Sequence, residues 1–158
     1  MRIGFGYDVH RLEAGRRFVI CGVEIPGDLG SVGHSDADVA THALMDAMLG
    51  ALAFGDIGKH FPDTDNKWKD ADSILMLGHV FNLVRDKGYK LGNADITIVL
   101  QAPRIAPFIE SMRLKIAQAT DADIRDISVK ATTEEGLGFT GEKSGVSAYA
   151  VVLLVENK

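Results

Sequence analysis

The sequence predicts a layered α+β or α/β domain in which one β-sheet is covered by helices. Segments with the two-residue period of strands frame segments with helical spacing, in the order ββ-α-α-β-α-β-β. Of the 158 residues, 46% are hydrophobic and 25% are charged, a balance typical of one ordinary folded domain. Since no repeat, low-complexity segment or linker divides the chain, we expect residues 1–158 to form a single domain.

The individual elements follow from periodicity and from the residues that favour helix ends. We expect strands at 2–11 and 17–25, helices from about 36 or 38 to 52 and at 72–87, a polar loop at 56–69, a strand at 91–101, a helix after 107, and strands near 126–133 and 145–156. Asp36 or Asp38 would cap the first of these helices, and Asp70 or Asp72 the second. Gly88 would end the second helix.

The last strand is apolar on both faces. Its even-numbered residues from Val146 to Leu154 form one apolar row, and Tyr149, Val151 and their odd-numbered neighbours form the other. One row can pack against the helices of this chain, because a strand is apolar on both sides when both are covered. The other row would meet a second subunit, or else the strand lies centrally in a monomer.

Composition excludes several classes of protein. The net charge of −5, without a block of basic residues, argues against a nucleic-acid-binding protein. No apolar stretch reaches the roughly 20 residues that span a bilayer, and the first residues do not resemble a signal peptide. Cys21 is the single cysteine, which excludes an intrachain disulfide and favours a cytoplasmic location.

Acidic and histidine side chains in two segments predict a metal site. Asp8 and His10 stand two apart in a predicted strand, so they point to the same face. In the first helix Asp38, His42 and Asp46 recur every four residues and form one polar stripe. Asp8, His10 and His42 would form a three-ligand zinc set with an open position. Asp38 or Asp46 would orient an imidazole. The alternatives are a surface ion pair and a hydrogen-bonded core histidine.

A cluster near residue 130 suits phosphate. Lys130, Thr132 and Thr133 stand at the end of a predicted strand, where ammonium, hydroxyl and backbone N–H groups can bind phosphate oxygens. Glu134 or Glu135 beside them suits a hard cation such as Mg²⁺. The alternative is a capped turn without a ligand.

Two further loops have a binding interpretation and a structural one. Asp56, Asp63 and Asp65 could hold the hydroxyls of a sugar or polyol, or could form turns through their own backbone. The segment 101–107 contains two prolines, which fix backbone groups that could bind a base edge. The same segment could simply end a strand and begin a helix.

Four motifs together resemble one enzyme family. GYDVH, HSDADVATHALMDAMLGALAFGDIGKHFPDTD, GNADITIVLQAP and VKATTEEGLGFTG occur in the order and at the spacings of the 2-C-methyl-D-erythritol 2,4-cyclodiphosphate synthases. The resemblance covers nearly the whole chain. It implies a single mixed β-sheet covered by helices on one face, and a homotrimer in which three sheets pack around a threefold axis.

The resemblance also implies an activity and its cofactors. The family's enzymes are phosphorus–oxygen lyases of the non-mevalonate isoprenoid (terpenoid) pathway. They convert 4-diphosphocytidyl-2-C-methyl-D-erythritol 2-phosphate to the cyclic diphosphate and CMP. Zn²⁺ would be held by Asp8, His10 and His42, and Mg²⁺ (or Mn²⁺) by Glu135. The active sites would lie between subunits, with the zinc side from one chain and the cytidine pocket from the next.

Site residues carry over from the resemblance position by position. His34 and Thr133 would be catalytic. Substrate contacts would come from the zinc side, the cytidine pocket and the phosphate loop: Asp8, His10, His34, Ser35, Asp46, Asp56, Ile57, Gly58, Phe61 and Asp63; Leu100, Ala102, Pro103, Arg104, Ile105, Ala106 and Ala131; Thr132, Thr133, Glu135 and Phe139. Asp56 and Gly58 would hold the ribose, and His34, Ser35 and Asp63 the methylerythritol phosphate.

The chain departs from the family pattern at three positions. Phe5 stands where some members have histidine, and Arg104 stands where lysine is familiar. Glu142 replaces an arginine that contacts an anion in the central cavity of many bacterial members, and it would repel an isoprenoid diphosphate unless Lys143 compensates. Two other functions fit the same residues: a zinc-dependent phosphohydrolase with a linear product, and a non-catalytic trimeric nucleotide-binding protein.

Overall fold

The computed structural model describes residues 1–62, 64–68 and 70–157. It confirms an α+β fold with a mixed sheet. The elements are β1 Arg2–Ala14, β2 Val19–Ile20, β3 Val23–Glu24, β4 Leu29–Val32, α1 Val39–Ala51, α2 Ile57–His60, α3 Ser73–Asp86, β5 Tyr89–Val99, α4 Ile109–Ala119, β6 Ile127–Thr132, α5 Gly138–Gly141 and β7 Gly145–Glu156. Within these described residues no helix is long and apolar enough to cross a membrane.

The main sheet has the strand order β4-β1-β7-β5-β6. Its pairs are antiparallel except for β5 and β6, which are parallel. Because β1 and β5 both run antiparallel to the central β7, the C-terminal ends of β1, β5 and β6 lie at the same end of the sheet. The strand ends that were predicted to hold metal and phosphate therefore face the same side of the molecule.

Helices cover one face of this sheet, and α1 lies closest to it. α1 packs against β1 and β7, α3 against α1 and β5, and α4 against β6. Two glycines of β1 make the close contact with α1. A Cβ on Gly4 would lie 1.8 Å from the carbonyl oxygen of Ala47, and a Cβ on Gly6 would lie 1.9 Å from that of Ala43. The helix α1 thus packs directly against the backbone of β1, and this close packing places His42 next to Asp8 and His10.

Within the described part of the chain, no element covers the opposite face of the sheet. Ile3 is 73% exposed and Phe5 is 63% exposed, although both are large apolar residues in a central part of the sheet. Tyr149 of β7 lies with its ring centroid 5.0 Å from that of Tyr7 on the same face. The even-numbered row of β7 is buried as expected. Central placement of β7 therefore does not cover its second face within the described residues.

Several local expectations were wrong. The segment 17–25 is not one strand, because Cys21 and Gly22 adopt positive φ values of 49° and 71° and turn it into the β2–β3 hairpin. The loop that follows contains the short strand β4, and the polar loop at 56–69 contains α2. Asp38 and Asp72 are the caps of α1 and α3.

Candidate active site

Three side chains from β1 and α1 converge on one point. The Oδ2 atom of Asp8 lies 3.0 Å from Nε2 of His10 and 3.1 Å from Nδ1 of His42. The two histidine nitrogens lie 3.2 Å apart. Among the described residues these three form the candidate metal-binding group. The three residues therefore lie together as expected, and their donor atoms form a near-equilateral triangle.

The triangle has the dimensions of three corners of a tetrahedral zinc site. Ligand atoms at about 2.0–2.1 Å from a tetrahedral ion lie about 3.3–3.4 Å from one another. The observed edges of 3.0–3.2 Å are close to this value. His42 is only 6% exposed, and Asp8 and His10 are partly buried. One carboxylate and two imidazoles are a donor set that zinc accepts.

The two histidines keep the carboxylate of Asp8 ionised, which is the form that binds a cation. Burial would raise the pKa of Asp8, but hydrogen bonds from His10 and His42 outweigh it and hold that pKa well below its usual value. Burial would lower the pKa of His42, but the hydrogen bond and charge of Asp8 raise it. The anionic carboxylate thus attracts positive charge to this point.

Other groups bind the far nitrogens of the two imidazoles. Nδ1 of His10 lies 3.1 Å from the carbonyl oxygen of Val32, and Nε2 of His42 lies 3.0 Å from Oγ of Ser35. Asp38 and Asp46, which were expected in this role, bind elsewhere. Asp38 accepts hydrogen bonds from the hairpin turn, from Thr41 and from Ser73, and Asp46 accepts one from the backbone N–H of Ile57 at 2.8 Å.

A pocket of about 340 Å³ opens beside the cluster. Of the predicted contacts it brings together Asp8, His10, His34, Ser35, His42, Ile57, Gly58 and Phe61. Gly33, Trp68 and Met76 also line it, and sequence reasoning missed them. Asp46 and Asp56 do not line this pocket. Both accept hydrogen bonds at the start of α2: Asp46 from the backbone N–H of Ile57, and Asp56 from that of Lys59. Asp63 lies outside the described residues.

A second pocket of about 480 Å³ lies at the C-terminal ends of β5 and β6. It is lined by the predicted Leu100, Pro103, Arg104, Ile105, Ala106, Ala131, Thr132 and Thr133, together with Gln101. Ala102 precedes Pro103 in a cis peptide bond and is not among the lining residues. Gln101 lies in the segment 101–107 that was expected to bind a base edge; its Oε1 accepts a hydrogen bond from Gly136 N–H at 3.3 Å and so ties the loop after β6 to this pocket.

The loop after β6 distinguishes its two glutamates. Glu134 accepts a hydrogen bond from the hydroxyl of Thr140, which is buried. Glu135 has a positive φ of 55°, a strained conformation for a residue other than glycine. Its carboxylate lies 3.5 Å from Oγ1 of Thr133. Both glutamates are exposed, and neither lines one of the two pockets. Phe139 packs against Gly145 and lines neither pocket.

One row of residues, paired across four neighbouring strands of the sheet, connects the two pockets. Asp8 is opposite Ala148, Ala148 is opposite Ile98, and Ile98 is opposite Ala131. Neighbouring strands are about 4.8 Å apart, so three steps separate the metal cluster from the second pocket by about 14 Å. The two pockets thus open at the same end of the sheet, several strands apart.

Comparison with known proteins identifies the family. The sequence profile of the YgbB family matches residues 1–155. The chain belongs to the YgbB family. One relative, the 2-C-methyl-D-erythritol 2,4-cyclodiphosphate synthase of Clostridioides difficile (strain 630), is 60% identical over 155 residues, covering 98% of this chain and 96% of that protein.

Solved structures of similar proteins share the whole fold. A 2C-methyl-D-erythritol-2,4-cyclodiphosphate synthase in a CDP-bound form has a TM-score of 0.90 and 40% identity, with 98% of this chain and 100% of that chain covered. The bifunctional IspDF of Campylobacter jejuni has a TM-score of 0.94 and 42% identity over 98% of this chain. This chain spans 42% of that longer protein. The YgbB family assignment therefore holds for both sequence and fold.

Proposed function

We propose that this chain is a 2-C-methyl-D-erythritol 2,4-cyclodiphosphate synthase. It converts 4-diphosphocytidyl-2-C-methyl-D-erythritol 2-phosphate to the cyclic diphosphate and CMP. The observation that carries the proposal is the metal cluster beside its pocket, placed in a fold that a synthase structure with CDP matches at a TM-score of 0.90. The curated relative of the same name at 60% identity supports the same activity.

The donor atoms indicate which residues would hold the metals. Oδ2 of Asp8, Nε2 of His10 and Nδ1 of His42 would hold Zn²⁺, since their spacing fits a tetrahedral ion. Glu135 would hold Mg²⁺ (or Mn²⁺) through its exposed carboxylate. When bound, these cations supply Lewis-acid stabilisation to the phosphate oxygens.

The chain's own groups would bind and align the substrate. His34 and Ser35 line the first pocket, and Thr132 and Thr133 line the second. An oxygen of the 2-phosphate attacks the β-phosphorus, and the bond from that phosphorus to the bridging oxygen of CMP breaks. The leaving CMP takes the electron pair. Because the nucleophile is already an anion, the site needs alignment and charge neutralisation more than a general base.

A homotrimer would complete the site. The uncovered sheet face carries Ile3, Phe5 and Tyr149, which a monomer would leave in water. Packing this face around a threefold axis would bury it and set the second pocket of one subunit beside the metal cluster of the next. We also propose that residues 1–158 are one domain, since the described strands share one sheet and one core. The cytoplasmic location stays a prediction.

Turnover in ¹⁸O-labelled water tests the proposal. A cyclase transfers an oxygen already present in the substrate, so CMP and the cyclic product should contain no label by mass spectrometry. One labelled oxygen in a linear product would support the zinc-dependent phosphohydrolase instead. Binding of substrate with no product would support a non-catalytic nucleotide-binding protein, and either result would reject the synthase.

A further inference from the structure

The segment that follows β4 contacts both imidazoles of the metal cluster. We call residues 32–35 the histidine strap. Its first residue, Val32, places its carbonyl oxygen 3.1 Å from Nδ1 of His10. Its last residue, Ser35, places Oγ 3.0 Å from Nε2 of His42. His10 thus contacts the strap through Nδ1, and His42 contacts it through Nε2.

The Val32 contact determines the tautomer of His10. A carbonyl oxygen can only accept a hydrogen bond, so Nδ1 of His10 must carry the proton. In the neutral ring that a metal requires, the lone pair is then on Nε2, the atom that lies 3.0 Å from Asp8 and donates to it when no cation is bound. The backbone of the strap therefore prepares His10 as a ligand without any side chain.

The Ser35 contact can work in either direction, because a hydroxyl both donates and accepts. If Nδ1 of His42 is to present its lone pair beside Asp8, Nε2 must carry the proton and donate it to Oγ of Ser35. The hydroxyl proton of Ser35 is then free to point elsewhere. Ser35 is half-buried and lines the pocket beside the cluster, so that proton is available to a ligand there.

Contacts with neighbouring segments fix the position of the strap beside the two imidazole rings. Val32 pairs with Arg11 of β1, and the hydroxyl of Ser31 donates to the carbonyl oxygen of Ala37 at 2.8 Å. Gly33 passes directly over the ring of His10: a Cβ there would lie 3.1 Å from Cε1 and 3.3 Å from Nδ1. The absence of a side chain at Gly33 lets the strap approach the imidazole.

We propose that Ser35 is a positioning residue that couples the metal cluster to the ligand pocket. When zinc replaces the proton that His42 shares with Asp8, Ser35 would accept the Nε2 proton of His42, which leaves the Nδ1 lone pair for the metal, and it would turn its own hydroxyl proton toward an anionic ligand such as a phosphate oxygen. This inference rests on the proposed metal site. It changes the expected role of Ser35 from a substrate contact alone to a link between the metal ligand and the substrate.

Zinc affinity tests the first half of the proposal. Purified full-length protein, stripped of metal, is titrated with zinc against a chromophoric chelator, for wild type, Ser35→Ala, Ser35→Thr and Ser31→Ala. Ser35→Ala should bind zinc about 10-fold more weakly or worse, as when other groups that orient metal ligands are removed, and Ser35→Thr should recover most of the loss. Ser31→Ala, the matched control, removes a hydroxyl that anchors the strap but does not contact His42, so its loss of zinc affinity should be clearly smaller than that of Ser35→Ala.

The outcomes separate this inference from the metal site itself. Wild-type affinity in Ser35→Ala would overturn the role of Ser35 while leaving the metal site intact. An equal loss in Ser35→Ala and Ser31→Ala would show a general loosening of the segment and would also overturn it. A wild-type protein that binds no zinc would reject the proposed metal site and this inference together. Turnover, measured separately, reports on the synthase proposal.

Two further readouts test the tautomers and the coupling. In the zinc-loaded protein labelled with ¹⁵N-histidine, long-range ¹H–¹⁵N spectra should show the proton of His42 on Nε2 and that of His10 on Nδ1; the reverse for His42 would overturn the proposal. At saturating zinc, inorganic diphosphate should bind Ser35→Ala about tenfold more weakly than wild type, the value for one hydrogen bond to a charged group. Unchanged diphosphate affinity would overturn the coupling.

Discussion

The spacing between α1 and β1 should be set by Gly6, and Gly6→Ala tests this. The added Cβ would lie 1.9 Å from the carbonyl oxygen of Ala43 and 2.8 Å from the backbone nitrogen of Ala47. An ordinary carbon contact lies near 3.5 Å, so the helix must retreat by about 1.5 Å. His42 directly precedes Ala43 and must move with it. Metal sites tolerate only about 0.2 Å of error in ligand distances.

We expect Gly6→Ala to lower the free energy of unfolding by about 1–3 kcal/mol, the usual cost of overpacking. Zinc affinity should fall by about 10-fold or more. Urea unfolding followed by circular dichroism, at fixed protein concentration, measures the first, and chelator competition measures the second. Gly78→Ala is the matched control: it lies in α3 with no atom within 4 Å of the new Cβ, and it should raise stability by about 0.5–1 kcal/mol.

Two results would refute this reasoning. A Gly6→Ala protein with wild-type stability would show that the close contact between β1 and α1 is not needed. A destabilised Gly6→Ala protein with unchanged zinc affinity would show that the sheet–helix spacing does not determine the cluster.

Three other changes have defined outcomes. Glu135→Gly should keep or raise the unfolding midpoint, because glycine accepts the positive φ of 55°, while the Mg²⁺ dependence of turnover weakens; an unchanged Mg²⁺ titration would move the ligand to Glu134 or to water. If the chain forms the proposed trimer, Phe5→Asp should convert it to monomers in sedimentation velocity, since it puts a charge into the uncovered face; a persistent trimer would contradict that interface. His42→Ala should abolish zinc binding and nearly all turnover while the oligomer persists, and retained stoichiometric zinc by elemental analysis would reject the ligand set.

The fold class could be predicted because each long element carries its own period. The even-numbered residues of β7 from Val146 to Leu154 are buried as expected. The β2–β3 hairpin could not be predicted, because Cys21 is a residue that seldom adopts positive φ, and the turn depends on Asp38 accepting the N–H groups of Cys21 and Gly22. These two hydrogen bonds join residues 16 and 17 positions apart in the sequence, and a local sequence pattern does not reveal such contacts.

The metal cluster could be predicted because its parts sit on regular elements. Two-residue spacing placed Asp8 and His10 on one face, and a buried helix carried His42. The residues that orient the imidazoles could not be predicted, since Val32 acts through its backbone and Ser35 through a loop conformation. Trp68 and Met76 reach the pocket only by tertiary packing. The GFG pattern around Phe5 was a usable signal for the close approach of α1, because glycine in a strand often marks another backbone nearby.

The most direct test of the central claim is phosphorus NMR of the purified protein with its proposed substrate, Mg²⁺ and Zn²⁺. The account predicts a pair of coupled diphosphate resonances from the cyclic product and an equimolar CMP signal, both absent in His42→Ala. CMP accompanied by a linear bisphosphorylated product, or a wild-type spectrum that never changes, would contradict it.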